Sequence, residues 1–567
     1  MLVGQALREG RRKKDDIEAF VARLRAGEAT FEDEASEGRS KSLGASLGYG
    51  FASAFTEEER VQLALLHFFQ GFVDVDTLRR MGALKMITGE DYSLPEVCGL
   101  TREAGIALLD RAAEIGLLTA HGGGYYSIHP ALPWYFKSLF QQYYSSQLSV
   151  TSDQPPLITD HSSLITATRA FVEALGELGN YYHYEYERGN SDVISALAAE
   201  EVNLLHARQL ALRHARSAAR GDARANGWWG RVISTMQGLD QLYDHTGRRA
   251  EWARLVNEIV PDFVDPASDG PLLGRHEDWN IVTEYRVRLA IEMRLWAEAE
   301  RLQRIHVEQA RLFAAAALAA PSETLDGAQS QAIRSLAVSL ERLGQIQVGQ
   351  EKPECADALH EAIPLCQRIG DKAEESKVAF NLGRAYRNVP AIYDLARAEY
   401  WFRRSLELSD ERDRFGHGRC LSQLGLVAYE RFLEARAVQK PDPEQYLRGA
   451  EQFCYDALDL FPSGEVEDLA AAHNLLGIIH AMTGNFDRAL PHYREAVRYF
   501  EAAGNLYKAA GARFNVAFAL RDRGRLADAR EYAYAALRNF ETYGERAAEE
   551  IQKTRGLIEE IEKEMGK

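Results

Sequence analysis

The stretch DLAAAHNLLGIIHAMTGNFDRALPHYREAVRYFEAAGN (468–505) runs directly into LYKAAGARFNVAFALRDRGRLADAREYAYAALRNFE (506–541), and the two superimpose with a shift of forty residues. Leu476-Gly477 falls on Val516-Ala517, Gly484 on Gly524, Ala489 on Ala529 and Ala496 on Ala536. Each copy reads as two amphipathic helices broken at a glycine, with small residues where the helices cross. Such a unit cannot bury its apolar face alone, so it implies stacked neighbours, a solenoid. The spacing extends upstream: small residues of first helices recur at Gly344, Gly383, Gly425, Gly477 and Ala517, in steps of 39, 42, 52 and 40. The matching second-helix alanines are Ala356, Ala398, Ala450, Ala489 and Ala529. The distance from small residue to alanine is 12 in the first, fourth and fifth units but 15 and 25 in the second and third. The extra residues are therefore expected in the turns at 388–391 and 437–444, where insertions leave a stacked core untouched.

Further upstream the pattern decays. Residues 243–259 and 292–310 keep a degenerate form of it, interrupted by an expected loop at 261–280. The reading is an all-α array of seven or eight helix pairs over 161–545, closed by a charged capping helix at 546–567. Residues 1–28 form one amphipathic helical pattern, in which Arg11-Arg12-Lys13-Lys14 is followed at once by Asp15-Asp16 and reads as a solvated face. That pattern starts without a capping segment and points to sequence ahead of Met1. Residues 29–49 are a polar, Gly/Ser-rich linker, and 146–160, with Pro155-Pro156, is a second one. The block 50–145 between them has a helix behind the capping-box start Thr56-Glu57-Glu58-Glu59. A short helix opens at Val73, a third follows Thr101, and a β-hairpin turns at Gly122-Gly123-Gly124. Three helices followed by one hairpin is the order of a winged-helix domain.

The 567 residues carry 84 acidic against 67 basic side chains, a formal net charge of −17, which disfavours non-specific nucleic-acid binding. The recognition helix of a winged helix would here be TREAGIALLDRAAEIGLL, itself net acidic, so DNA reading is disfavoured as well. Five cysteines (Cys98, Cys355, Cys366, Cys420, Cys454), odd in number and never spaced as CxxC, give the pattern of a reduced, cytoplasmic setting. The longest small-apolar run, Leu312 to Ala320, is about half of what a membrane span requires. No GxxxxGK[ST] or HExxH occurs, and no catalytic residue, no metal ligand and no enzyme activity is assigned to this chain. Cys355 and Cys366 read as core or groove thiols, and Tyr181, Tyr182, Tyr184 and Tyr186 as aromatic packing within the solenoid.

The 468–541 stretch resembles the tetratricopeptide repeat, whose pattern has Leu-Gly in the first helix, then Ala, an aromatic and Ala in the second. Leu476, Gly477, Ala489, Tyr493 and Ala496 supply all of these, while the next copy has Ala533 where the aromatic belongs. In that family first-helix side chains line a concave groove, which implies a groove role here for Asn474, Ile478, Met482, Phe514, Phe518 and Arg521. The N-terminal part resembles the end of the nucleotide switch in STAND-class (NB-ARC) ATPases. There a P-loop domain, a helical domain and a winged helix precede a sensor that is often a tetratricopeptide array. VGQALREGRRKKDDIEAFVARLRAGEA (3–29) looks like the tail of the helical domain. YYSIHPALPWYF (125–136) sits where the family carries its Met-His-Asp motif, with Ile128 and Pro130 in place of the flanking residues. The resemblance implies that His129 approaches the β-phosphate of ADP, once a P-loop domain is supplied. AAEEVNLLHARQLAL (198–212) resembles the Glu-x-x-Asn-Leu helix that opens the array in bacterial members.

The resemblance implies a tetratricopeptide-repeat superhelix preceded by a small winged helix, acting as the sensor of a bacterial nucleotide switch. It further implies a protein or peptide ligand in the groove, a switch domain in cis or trans, no membrane, and compatibility with a homo-oligomer. No cofactor is implied for this chain; ATP or ADP belongs to an intact family member. Two alternatives stand beside it: a transcription regulator whose winged helix reads DNA, and a free-standing repeat scaffold.

Overall fold

A computed structural model of the chain describes residues 51–566 apart from 52–53, 84–92, 130–131, 145–159, 188–189, 191, 218–222 and 411. The segments 1–28 and 29–49, and nearly all of the linker 146–160, lie outside the described residues. Within them the chain has an all-α superhelical repeat fold, 21 α-helices with one three-stranded sheet. It divides into two compact units: the residues up to Phe263 together with Pro271–Val282, and Val264–Gly270 together with Thr283–Lys567.

The first unit opens with α1 (Glu57–Ala64), capped as its sequence predicts. Thr56 Oγ1 accepts from Glu59 N at 3.3 Å while Glu59 Oε2 accepts from Thr56 N at 3.0 Å. β1 (Phe72–Asp74), α2 (Val75–Arg80), α3 (Arg102–Glu114), β2 (Leu118–Gly122), β3 (Tyr125–Ile128) and α4 (Pro133–Tyr144) follow. The sheet order is β1-β3-β2, all antiparallel, with Phe72, Val73 and Asp74 opposite Ser127, Tyr126 and Tyr125. This corrects the expectation of a lone hairpin and of a helix beginning at Val73. A three-residue strand is too short to show alternation, and Asp74 is instead the cap of α2, its Oδ1 accepting from Asp76 N at 2.9 Å. Gly122, Gly123 and Gly124 all have positive φ, a turn that only glycines make at low cost. Four helices follow: α5 (Asp160–Glu187), α6 (Val193–Ser217), α7 (Ala223–His245) and α8 (Arg249–Phe263). The tyrosine run lies on α5, where Tyr181 and Tyr184 are exposed at 50% and 59%, the Tyr181 ring lies 5.5 Å from that of Tyr182, and Tyr186 meets His245 edge-on at 6.2 Å.

α9 (His276–Glu292) crosses the division and α10 (Trp296–Ala319) follows it. The interruption is shorter than 261–280, because α8 continues through Pro261 to Phe263 and α9 already starts at His276. Five pairs then stack: α11 (Gly327–Gly349) with α12 (Cys355–Ile369), α13 (Lys372–Asn388) with α14 (Leu395–Leu408), and α15 (Arg414–Ala437) with α16 (Glu444–Leu460). The last two are α17 (Val466–Met482) with α18 (Phe486–Ala502), and α19 (Leu506–Asp522) with α20 (Leu526–Glu541). α21 (Ala548–Met565) closes the unit, burying Leu557, Ile558 and Ile561 on one side.

The small residues sit where the partner helix comes closest. A Cβ on Gly344 would lie 2.5 Å from Leu359, on Gly383 2.6 Å from Phe402, and on Gly477 2.5 Å from Tyr493. In the first pair the matching small residue is Cys355, fully buried, and not Ala356, one position on and only half-buried. A buried thiol packs as a small apolar side chain, so it substitutes there for alanine. The extra length of the third pair is partly helix: α15 runs twelve residues past Gly425, against five for α17 past Gly477. Cys355, Cys366, Cys420 and Cys454 are buried free thiols and Cys98 is exposed.

Candidate functional site

The first helices of the last three pairs, α15, α17 and α19, together with the start of α21, line a pocket of about 460 Å³. Leu426 and Tyr429 come from α15, Leu475 and Ile478 from α17, and Phe514 from α19. Phe500 and Phe540, buried at the last turns of α18 and α20, line it as well. Its polar groups are few. Asn515 Nδ2 donates to Asn474 Oδ1 at 3.3 Å across neighbouring first helices, and Lys508 Nζ stands 3.1 Å from Glu467. Gly511, mid-helix in α19, borders the pocket, and a Cβ there would meet nothing within 4 Å. A helix-interior glycine costs about 0.5–1 kcal/mol relative to alanine. At Gly477 that cost is matched by close helix contact; at Gly511 it leaves open space.

Of the six expected groove residues, Asn474, Ile478 and Phe514 line this pocket. Met482 and Phe518 lie about a turn further along their helices, and Arg521 nearly two. Met482 and Phe518 are exposed at 37% and 48%. Arg521 pairs with Glu560 at 2.5 Å and Glu564 at 3.4 Å on α21, its guanidinium 5.6 Å from the Phe518 ring. Sequence reasoning missed Phe500 and Phe540, although they are forty residues apart and identical in the superposition that defined the repeat. Leu426 and Tyr429 stand one and four residues after Gly425, in a register the sequence already offered.

The same register continues upstream in different chemistry. The position after each crossing residue reads Gln345, Arg384, Leu426, Ile478 and Phe518 along the array; three positions later stand Val348, Arg387, Tyr429, Ala481 and Arg521. Around Arg384 the lining is a polar network. Buried Glu341 accepts from Gln345 Nε2 at 2.5 Å and from Asn381 Nδ2, and Asn381 Oδ1 accepts from Arg384 at 3.4 Å. Arg387 donates to Glu430 at 3.1 Å and to Gln423. Burial, and then the nearby Glu374, push the Glu341 carboxyl up to about 7.

In the first unit, the Glu-x-x-Asn-Leu residues of α6 grip the start of β1. Asn203 Oδ1 accepts from Gln70 N at 2.7 Å, and its Nδ2 donates to Phe72 O at 2.9 Å and to Glu200 at 2.6 Å. Glu200 is 2% exposed, and burial pushes its carboxyl up to about 8. Glu201 accepts from Arg248 and from Tyr243 Oη, both at 2.8 Å, which ties α6 to α7 and the turn after it. His129 is exposed directly after β3, and its carbonyl accepts from Leu132 N at 2.9 Å.

Among the described residues no cluster of three His, Cys, Asp or Glu is placed to hold a metal ion, and no helix is long and apolar enough to cross a membrane. The sequence matches no family model and no curated protein. Solved structures give loose similarities. A STAND protein with a tetratricopeptide repeat sensor from Pyrococcus horikoshii is 11% identical, with a TM-score of 0.40 over 97% of this chain and 73% of its own. A Rap protein complexed with Competence and Sporulation Factor is 11% identical, TM-score 0.36, over 69% and 99%. Human IFIT1 with PPP-AAAA is 14% identical, TM-score 0.23, over 64% and 94%. At these values the likeness does not extend to function.

Proposed function

We propose that this chain is the ligand-sensing module of a nucleotide-switch signalling protein, binding a peptide or protein segment in the pocket between α15, α17, α19 and α21. The pocket carries the reading. It is concave, mostly apolar and lined by first-helix residues, with a few polar groups to fix orientation, as binding sites are. The Asn474–Asn515 pair holds further amide donors and acceptors suited to a peptide backbone, and Gly511 keeps space open beside them.

The switch role is supported by the tie between Asn203 and β1, which links the helix that opens the array to the winged-helix-like block. A ligand shifts such a switch only by the difference in its affinity for the two states. In this reading His129 faces the β-phosphate of ADP when a P-loop domain is supplied in cis or trans. The chain performs no chemistry itself, and nucleotide hydrolysis by it alone would contradict that.

Selection of a displayed library of random short peptides on the full chain tests the binding reading. Enrichment of sequences with clustered apolar residues is expected, and no enrichment would contradict it. The DNA ahead of the Met1 codon tests the switch reading. An in-frame P-loop is expected; its absence, with no P-loop protein encoded beside this gene, would favour a free-standing scaffold.

A further inference from the structure

We infer that acid releases the ligand from this pocket through a line of three histidines packed behind its wall. The inference rests on the pocket being the ligand site and names what controls it. His473 and His480 on α17, His492 on α18 and Tyr455 on α16 are joined end to end. His473 Nδ1 lies 2.9 Å from His492 Nδ1, His492 Nε2 lies 3.3 Å from Tyr455 Oη, and Tyr455 Oη lies 3.1 Å from His480 Nε2. The His480 and His492 rings stack with centroids 5.5 Å apart. The ligand site itself uses none of these four side chains.

Each contact in the line takes one hydrogen. With the three rings neutral it closes in either direction: His473 donates to His492, His492 to Tyr455 and Tyr455 to His480, or the reverse. With His473 and His492 both charged, two N–H groups face each other across the same gap, and that contact opens. Among the described residues the charged groups acting on the rings come from α16 and α18. Burial lowers the proton affinity of all three rings. Glu495 then raises that of His473 and Arg498 lowers it; Glu451 raises that of His480 and Arg488 lowers it. At His492 burial and the other two rings bring it down to about 4. The folded chain therefore holds fewer protons here than free imidazole does. This packing is whole above the ordinary histidine value of 6.5 and is lost as pH falls toward about 4.

The line reaches the pocket through immediate neighbours. His473 stands beside Asn474 on α17, and the Tyr499 ring stacked on it at 5.9 Å stands beside Phe500 on α18. Asn474 and Phe500 both line the pocket. An open His473–His492 contact loosens α17 from α18 at the turns that carry those two residues. A ligand fitted to the closed arrangement binds the neutral form better, so protons compete with it by linkage.

The test uses a peptide selected on the full wild-type chain at about pH 7.5, free of Asp, Glu and His and made with capped ends, so that it does not itself titrate. Fluorescence anisotropy then follows its affinity down to about pH 5. Wild type is expected to lose about tenfold over that range. His473→Asn, whose amide stands near the place of Nδ1 and takes no proton, is expected to bind within about twofold of wild type at the upper pH and to lose under about threefold. Two exposed charge substitutions should shift the loss in opposite directions. Glu495→Gln is expected to move its midpoint to lower pH and Arg498→Gln to higher pH, because the first group favours a charged His473 and the second opposes it. Affinity that is flat across the range, or a loss whose midpoint neither charge substitution moves, would overturn this inference and leave the pocket reading standing. A loss that His473→Asn retains in full would do the same. No enriched peptide at all would overturn the pocket reading and this control of it together.

Discussion

The two halves of the second unit's groove are built on one backbone plan and filled with opposite chemistry. In both, a small residue lets the paired helix approach: Gly383 against Phe402 upstream, Gly477 against Tyr493 downstream. One residue on, the upstream half presents Arg384 and the downstream half Leu426 and Ile478. The repeat therefore specifies where side chains point, and leaves what they recognise free to vary. The upstream half is held by hydrogen bonds to the buried Glu341, the downstream half by aromatic rings at helix ends.

Substitutions should separate the two halves by size and kind of effect. The largest is expected from Phe540→Ala, which removes a ring 2% exposed at the apolar pocket. Thermal or denaturant unfolding should show a loss of about 3–5 kcal/mol. In the polar half Glu341→Gln should act through pH. A carboxyl raised from 4.5 to about 7 leaves the folded state holding more protons between those values, so wild-type stability falls as pH rises through that window. The amide variant should match wild type near the lower end and exceed it above the upper end by on the order of 3 kcal/mol. Parallel curves across the window would contradict the Glu341 assignment. Asn381→Ala, which leaves Glu341 short of a donor, should cost about 1–3 kcal/mol. Arg521→Ala breaks exposed pairs to Glu560 and Glu564 and should cost under about 1 kcal/mol, vanishing in high salt.

Much of this plan was legible in the sequence. Gly344, Gly383, Gly425 and Gly477 announced the helix crossings because only a small residue fits there, and Thr56 and the three glycines at 122–124 marked a cap and a turn by their own chemistry. β1 was hidden because three residues carry no period, and Cys355 because a thiol stood where alanine was sought. Half of the expected groove set does not line the pocket: register fixes a helix face but not the depth along it, and Met482, Phe518 and Arg521 stand further along their helices than the residues that do. The polar half was not legible, since Glu341, Asn381 and Arg384 come together only through packing of α11 on α13. Gly511 stands outside the series of crossing residues, and the space beside it shows only in the folded chain.

Gly511→Leu is the sharpest probe of the pocket as the ligand site. The new side chain enters the pocket without meeting a neighbour at its Cβ, and loss of a mid-helix glycine should leave thermal stability equal or raised. A peptide selected on the wild-type chain is expected to bind this variant at least about tenfold more weakly by fluorescence anisotropy. Unchanged affinity in an equally stable variant would place the ligand elsewhere and contradict a pocket between α15, α17, α19 and α21 as its seat.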